Sequence, residues 1–170
     1  MNAPVNTAGD SEPAPTELVG WGNYPRVRGR QRLSEDLERI TDGAALTRGL
    51  GRSYGDASLP AGMARPVAGS PLADRILAFD FETGIVRAEA GVTLMRLNFL
   101  SLPRGWFTPV TPGTHWVTLG GMVAADVHGK NHHVAGCFGE HVLALRMRVA
   151  DGRIVECSPS EHPDLFWASV

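Results

Sequence analysis

Apolar and polar side chains alternate between residues 143 and 149, near the end of the chain. Leucine, methionine and valine at the odd positions are separated by Arg146 and Arg148, which is the two-residue period of a half-buried strand. Asp151-Gly152 follows and predicts a tight turn into a second strand at 154–157. A similar pair is predicted earlier, with a buried strand at 76–80 and an alternating strand at 85–90.

Helical spacing is clearest between residues 94 and 102. Thr93 is a suitable N-cap for this helix, and Pro103 follows its end. Leucines at 94, 97 and 100 form one stripe, which we expect in the core.

Shorter elements are predicted on either side of this helix. Ser34 is expected to cap a helix at 35–40, which leads into a strand at 44–48. Thr118 is expected to cap a turn over 120–127. A last helix is expected to begin within 158–164 and to leave 165–167 exposed, since its cover is expected beyond Val170.

Three glycines fall within the segment that follows the strand predicted at 44–48. This segment, the glycine loop, reads Arg48-Gly49-Leu50-Gly51-Arg52-Ser53-Tyr54-Gly55-Asp56. Glycine permits dihedral angles closed to other residues, and successive N–H groups in such a turn can converge on an anion. The arginines add positive charge, and the serine and tyrosine add hydroxyl donors. The loop is therefore predicted to bind a diphosphate, with a purely structural surface turn as the alternative.

The common phosphate-binding motifs differ from the glycine loop. A Rossmann fingerprint needs a glycine where this chain has Tyr54. A P-loop ends in Gly-Lys-Ser/Thr, which does not occur in the sequence. Neither nucleotide fold is therefore predicted.

Composition narrows the class of protein. With 170 residues, 43% of them hydrophobic and 20% charged, the chain is typical of a globular protein of one domain or two small lobes. A net charge of −2 gives no reason to expect nucleic acid or an anionic membrane as partner. Residues 1–17 are rich in Pro, Ala, Ser and Thr and are predicted to be a disordered tail without signal-peptide character. No run of 18 apolar residues predicts a transmembrane segment.

Histidines and cysteines are the remaining candidates for chemistry. The run His128-Gly129-Lys130-Asn131-His132-His133 has the histidine density of some zinc sites, but no H-E-x-x-H motif accompanies it. A metal site, and with it a metal-dependent hydrolase, is therefore the less favoured alternative. His132 and His133 are expected in a structural turn, and Cys137 is expected to be a small buried hydrophobe. Cys137 and Cys157 provide no disulfide framework, although they could pair once.

The order of these segments resembles a known family. The glycine loop, Pro112-Gly113-Thr114, the run 117–121 and the histidine run resemble the FAD-linked oxidases of the vanillyl-alcohol oxidase (PCMH-type) superfamily. Within it the sequence is most similar to the decaprenylphosphoryl-ribose 2′-oxidases, which act in arabinan precursor synthesis. Trp21-Gly22 and the segment 164–168 match as well. The resemblance implies a two-lobed α+β FAD-binding domain over 18–170, incomplete at its C-terminus and truncated before the substrate domain.

The resemblance also implies a role for each segment. The FAD diphosphate is expected on residues 47–57. Gly113 and the run Thr118-Leu119-Gly120-Gly121 are expected to line the dinucleotide, and the segment from Ala125 to His128 is expected beside the flavin. His128 and Lys130 are the catalytic candidates: the histidine is expected to orient the substrate or relay a proton, and the lysine to stabilise the reduced flavin by its charge. The alternatives are a structural histidine bonded to backbone groups beneath the flavin and a solvated loop lysine.

The implied activity is oxidation of a secondary alcohol of a sugar or sugar-lipid, with hydride transfer to FAD. Some relatives tether FAD through a histidine at the position of Arg52. A guanidinium is not a nucleophile, so we expect noncovalent FAD. The expected substrate is a small or lipid-linked sugar, a partner reductase is a further candidate, and the expected location is the cytoplasm or the periphery of the cell membrane. A flavin- or nucleotide-binding module without turnover is the alternative.

Overall fold

A computed structural model of the chain describes residues 12–170. Within these residues the strands form four small sheets and the helices are short. The elements are, in chain order, β1 (Thr16–Val19), β2 (Arg26–Gly29), β3 (Gln31–Leu33), α1 (Leu37–Thr41), β4 (Leu46–Arg48), β5 (Val67–Gly69), β6 (Ile76–Phe79), β7 (Val86–Ala88), α2 (Leu94–Ser101), a 3-10 helix (Leu102–Arg104), α3 (Leu119–Ala124), α4 (His132–Ala135), a second 3-10 helix (Phe138–His141), β8 (Leu145–Arg148), β9 (Ile154–Cys157) and α5 (Pro163–Trp167). The mixture of helices with mostly antiparallel sheets confirms the α+β class.

A three-stranded parallel sheet, formed by strands on both sides of the glycine loop in the sequence, supports the loop. Its order is β3-β5-β4, with Leu46 opposite Val67 and Arg48 opposite Gly69. The middle strand β5 is buried along its whole length because it has a neighbour on each side. Parallel strands end at one edge of a sheet, so the glycine loop leaves β4 beside the end of β5.

A small hydrophobic core fixes both ends of the glycine loop. Leu18 of β1, Leu59 and Val67 are buried together, and Val27 and Leu46 pack against them. Leu46 precedes the loop and Leu59 follows it. The loop is therefore held by apolar contacts on both sides.

The cap of α2 is confirmed and that of α1 is not. Thr93 Oγ1 accepts a hydrogen bond from the Arg96 amide at 3.1 Å, and the α2 leucines at 94 and 97 are buried. At α1 the capping side chain is Asp36, which accepts from the Arg39 amide at 3.0 Å. Ser34 accepts from the Asp36 amide instead. Ser34 and Asp36 are both capping candidates, and the Asp36 carboxylate forms the cap.

The two predicted hairpins form, but one prediction about burial is wrong. β8 pairs with β9 across a turn in which the Gly152 amide donates to the Val149 carbonyl at 2.9 Å. β6 pairs with β7, yet Leu77 is 52% exposed. Strand β6 was predicted to be buried, but its Leu77 and Phe79 side chains border a large cavity. Within residues 12–170, β6 pairs with β7 and with no further strand, which leaves these side chains uncovered.

Arginines of β8 connect this hairpin to α1. Arg146 forms an ion pair with Glu38 at 2.7 Å. Arg148 donates to Thr41 Oγ1 at 3.0 Å and to the Glu38 carbonyl at 2.9 Å. The alternating arginines of the sequence therefore join elements that lie far apart along the chain.

The first strand begins before the predicted domain start. β1 begins at Thr16, so residues 16 and 17, expected in the tail, are in a strand paired with β2. The rest of the predicted tail up to residue 11 lies outside the described residues. Among residues 12–170, no helix combines the length and the apolar composition needed to cross a membrane.

The last helix differs from its prediction in extent and in burial. α5 covers Pro163–Trp167 and packs on β9. Phe166 is fully buried, whereas exposure was predicted, and Leu165 is half-buried. Trp167 is 55% exposed, as expected. Phe166 is therefore covered by residues within the described range, although its cover was expected beyond Val170.

Replacement of Phe166 by alanine should destabilise the chain by about 3–5 kcal/mol, as is typical for loss of a buried aromatic side chain. Trp167→Ala is the matched control. Trp167 contacts Phe166 edge-on, with ring centroids 5.0 Å apart, so its removal should cost less than about 1.5 kcal/mol. Urea unfolding measures both values, and equal costs would contradict the burial described here.

Candidate functional site

The glycine loop presents a run of free backbone donors. No N–H group from Gly49 to Ser58 donates a hydrogen bond to any residue within 12–170. Three carbonyls of the loop do accept: Arg48 O from the Ser70 amide at 2.9 Å, Ser53 O from the Trp21 amide at 2.9 Å and Asp56 O from the Leu59 amide at 2.8 Å. The loop is thus attached through its carbonyls while its amides remain available. Successive free backbone N–H groups of this kind can bind an anion.

Glycine geometry shapes this loop at two positions. Gly51 has φ +66° and is buried, and Gly55 has φ +56° and is exposed. Both lie in the left-handed region that other residues rarely adopt. A Cβ at Gly55 would meet nothing within 4 Å, whereas one at Gly51 would overlap the Arg48 guanidinium.

The two arginines of the loop have different surroundings. Arg48 donates from Nη2 to the Val19 carbonyl at 2.6 Å and from Nη1 to Ser58 Oγ at 2.8 Å. Burial and the charge of Arg52 lower the pKa of the Arg48 guanidinium from its ordinary value. Arg52 is exposed, donates from Nε to the Trp116 carbonyl at 3.2 Å and stacks over Trp21 at 5.5 Å. Its Nη groups have no partner in the described part of the chain.

The remaining loop residues divide between the cavity and solvent. Leu50 and Ser53 are half-buried and border the cavity, and exposed Tyr54 borders it too. Gly55 and Asp56 are exposed and lie outside the cavity lining. Of the predicted diphosphate segment, 47–57, residues 47–54 and Ala57 therefore border the cavity.

Thr118 joins the glycine loop to α3. Its hydroxyl accepts from the Gly121 amide at 3.3 Å, which confirms the predicted cap. Its side chain also packs on Gly49: a Cβ there would overlap Oγ1 and lie 3.1 Å from Cγ2. Two segments far apart in the sequence, both predicted to bind the dinucleotide, are thereby brought together.

The first turn of α3 differs from its prediction in one respect. The Leu119 amide donates to the Val92 carbonyl at 2.8 Å, and the Gly120 amide donates to the Ala90 carbonyl at 2.9 Å. A Cβ at Gly120 would lie 2.9 Å from Ala90 Cβ. The close approach that Gly120 permits is therefore to Ala90, and these amides are not free for an anion. The residues from Thr118 to Gly121 still line the cavity.

The cavity between these segments has a volume of about 2650 Å³. It exceeds the roughly 300–1,000 Å³ typical of pockets for drug-sized ligands, so it has room for a dinucleotide. Gly113, Ala125 and His128 line it, and Lys130 does not. Gly113 has nothing within 4 Å of a Cβ position, so its backbone is open to a ligand.

The histidine run forms a local cluster of rings at one side of the cavity. The His128 side chain is exposed, and its ring lies 5.6 Å from that of His132. His132 Nδ1 lies 3.2 Å from the Gly129 carbonyl, and His141 Nε2 lies 2.8 Å from the Ala135 carbonyl. No group of three metal-ligating side chains occurs within residues 12–170. Lys130 is exposed to solvent.

Both cysteines are free thiols. Cys157 is buried, and burial raises the pKa of its thiol. Cys137 is only half-buried, so the prediction of a buried hydrophobe is wrong for this residue. Desolvation and the Asp126 carboxylate raise the pKa of the Cys137 thiol. A raised pKa disfavours the nucleophilic thiolate.

Sequence reasoning missed four residues that organise the site. They support the loop or α3 through contacts with residues distant in sequence, and they are Val19, Ser58, Ala90 and Trp116. Val19 and Trp116 contribute only a carbonyl, and Ala90 contributes a carbonyl and a methyl group. Ser58, a serine just after the glycine loop, is the one that carried a usable signal.

Comparison with known proteins agrees with this geometry. The family described as FAD binding domain matches residues 41–158. The chain is 42% identical to decaprenylphosphoryl-beta-D-ribose oxidase of Mycolicibacterium smegmatis, over 90% of this chain and 35% of the relative. It is 37% identical to human Delta(24)-sterol reductase over 55% of this chain and 18% of the relative.

A third relative is a putative D-arabinono-1,4-lactone oxidase of Neurospora crassa, 30% identical over 57% of this chain and 17% of the relative. The chain thus spans about a third of the length of the first relative and less than a fifth of the other two. The family match covers more than half of the chain and includes nearly all the cavity-lining segments described above. The chain therefore belongs to the FAD binding domain family of oxidoreductases, whose cofactor is FAD.

Proposed function

We propose that the chain supplies the FAD-binding part of an enzyme that oxidises a secondary alcohol of a sugar or of a lipid-linked sugar. The observation that carries the proposal is the run of free amides in the glycine loop, which faces the cavity beside the exposed Arg52. The names of two relatives, a ribose-lipid oxidase and a putative sugar-lactone oxidase, support a sugar-like substrate.

The residues present fit FAD. Amides from Gly49 to Tyr54 and the free Nη groups of Arg52 would hold the diphosphate. Gly113 and the α3 residues would contact the dinucleotide by van der Waals packing. The first α3 amides already donate to protein carbonyls, so they would add no hydrogen bonds. Charge-assisted hydrogen bonds contribute roughly 1.5–3 kcal/mol each, so a few of them are enough for tight binding.

FAD, when bound, supplies the acceptor for a hydride from the carbinol carbon. Removal of the hydroxyl proton falls to a side chain, and we assign it to His128, which lines the cavity. His141 also lines the cavity, but its Nε2 lies 2.8 Å from the Ala135 carbonyl. An unprotonated imidazole nitrogen of His128 accepts this proton. Lys130 is exposed outside the cavity lining, so its proposed contribution is limited to charge at longer range.

Purified chain should bind FAD and release it on acid precipitation. No histidine occupies position 52, and the Arg52 guanidinium cannot form a bond to the flavin. The measurement is the flavin absorbance of the supernatant and of the protein pellet after acid treatment. Yellow colour retained in the pellet would contradict noncovalent binding. Absence of flavin from both fractions, after incubation with FAD, would contradict the proposed function.

A further inference from the structure

We propose that Arg48 is a positioning residue that clamps the two ends of the glycine loop together and does not itself contact the diphosphate. Its consequence for FAD affinity rests on the proposed function above. The sequence predicts that this arginine and Arg52 both add positive charge to the anion site. The surroundings of the two side chains now separate their roles.

The Arg48 guanidinium spans the loop from one end to the other. Arg48 ends β4, and its Nη1 donates to Ser58 Oγ at 2.8 Å and to the Ser58 carbonyl at 3.2 Å. Its Nη2 donates to the Val19 carbonyl of β1 at 2.6 Å. One side chain thus ties the start of the loop, its end and the neighbouring hairpin. Arginine suits this task because its planar group directs several donors at once.

Gly51 crosses directly over this guanidinium. A Cβ at position 51 would overlap Arg48 Nη2, lie 2.8 Å from Cζ and lie 3.1 Å from the Val19 carbonyl oxygen. The glycine at 51 is therefore required by the arginine clamp, in addition to its positive φ of +66°. It is a contact between protein groups, and no ligand is needed to explain it.

Arg52 provides the contrast within the same loop. It is exposed, and its Nη groups face no acceptor among residues 12–170. Both Nη1 and Nη2 of Arg48, in contrast, donate hydrogen bonds to protein oxygens. The division follows from these contacts: Arg52 retains donors for an anion, and Arg48 sets the shape of the backbone that offers its amides.

The clamp adds a side-chain restraint to a loop whose amides from Gly49 onward form no hydrogen bonds within 12–170. The loop is otherwise held by hydrogen bonds to its carbonyls and by the apolar contacts of Leu46 and Leu59 at its ends. Binding is tighter when a site is already in its bound shape, because less conformational freedom is lost. Loss of the clamp should therefore weaken FAD binding without removing any direct contact.

The first test compares Arg48→Ala with Arg52→Ala in the whole 170-residue chain, with FAD affinity measured by fluorescence at low and high salt. Each change should weaken binding by about 10-fold or more. Arg52→Ala should also reduce the salt dependence of the affinity, since a charge facing the diphosphate is lost. Arg48→Ala should keep the salt dependence of the wild type. A reduced salt dependence in Arg48→Ala would overturn the proposal.

The second test is a double-mutant cycle with Gly51→Ala. The strain from a positive φ is the same in every background and cancels, so the remaining coupling reports the overlap with Arg48. Gly51→Ala should cost about 5-fold less affinity in Arg48→Ala than in the wild type. In Arg52→Ala, the matched control, it should cost the same as in the wild type. Equal costs in all three backgrounds would contradict the clamp.

The cycle also separates failure of the clamp from failure of the proposed function. Absence of FAD binding by the wild type would contradict the function, yet the same coupling is measurable in the equilibrium constant for urea unfolding. If Arg48→Ala does not fold, Ser58→Ala replaces it, because that change removes the 2.8 Å bond alone. Ser58→Ala should weaken FAD binding a few-fold with unchanged salt dependence, and wild-type affinity would overturn the proposal.

Discussion

Replacement of Gly49 by valine should weaken FAD binding by about 100-fold. A Cβ at this position would overlap Thr118 Oγ1 and lie 3.1 Å from its Cγ2. Thr118 is buried and caps α3, so it cannot move aside without loss of that cap. Overpacking of this kind costs about 1–3 kcal/mol. We expect a cost at the upper end of this range, because the valine would push the glycine loop away from α3. Flavin retained after gel filtration measures the effect.

Gly62→Val is the matched control for this substitution. Gly62 is exposed, lies outside the cavity lining and has nothing within 4 Å of a Cβ position. Its replacement should leave FAD affinity within about 2-fold of the wild type. A Thr118→Ala background removes the overlapped atoms, so the valine at 49 should cost less there. An unchanged cost would show that the contact between Gly49 and Thr118 does not determine FAD binding.

Replacement of His128 by alanine should slow reduction of the flavin by about 10²–10⁴-fold, the usual contribution of a positioned acid or base. FAD binding should remain close to that of the wild type, because the diphosphate is expected at the glycine loop. The experiment uses the longer protein that contains this chain, since the chain spans about a third of its first relative. Anaerobic stopped-flow absorbance follows the flavin, after the FAD content of each variant has been determined.

His133→Ala is the control for the histidine substitution. His133 is exposed and does not line the cavity, although it belongs to the same run. Its replacement should leave the rate of flavin reduction unchanged. A wild-type rate in His128→Ala would exclude a catalytic role for His128, and a loss of only a few-fold would indicate that its role is packing.

Local signals explain which elements could be predicted from the sequence. Thr93 and Thr118 cap their helices because the acceptor and the amide lie three residues apart. The Asp151-Gly152 turn likewise depends on adjacent residues. The cap of α1 shows the limit of such signals, since Ser34 and Asp36 are both good candidates and only the backbone geometry selects between them.

The candidate site was predictable in outline for the same reason. A glycine-rich loop after a strand is a local pattern, and the structure gives that loop its free amides. Apart from Ser58, the partners of Arg48 and of the first α3 amides are carbonyls of Val19, Ala90 and Val92, which every residue type offers. Their selection depends on how distant segments pack, and no sequence pattern records it.

The connection between β8 and α1 has a consequence for the order in which the chain is made. Arg148 bonds to Thr41 and to the Glu38 carbonyl across more than a hundred residues. During synthesis α1 leaves the ribosome long before those guanidinium donors exist. The parallel sheet can form from residues made earlier. Until β8 emerges, however, Thr41 Oγ1 and the Glu38 carbonyl of α1 accept hydrogen bonds from water in place of Arg148. Contacts of such high sequence separation are slow to close, so nascent chains halted before residue 148 would present an α1 whose β8-facing side is still hydrated.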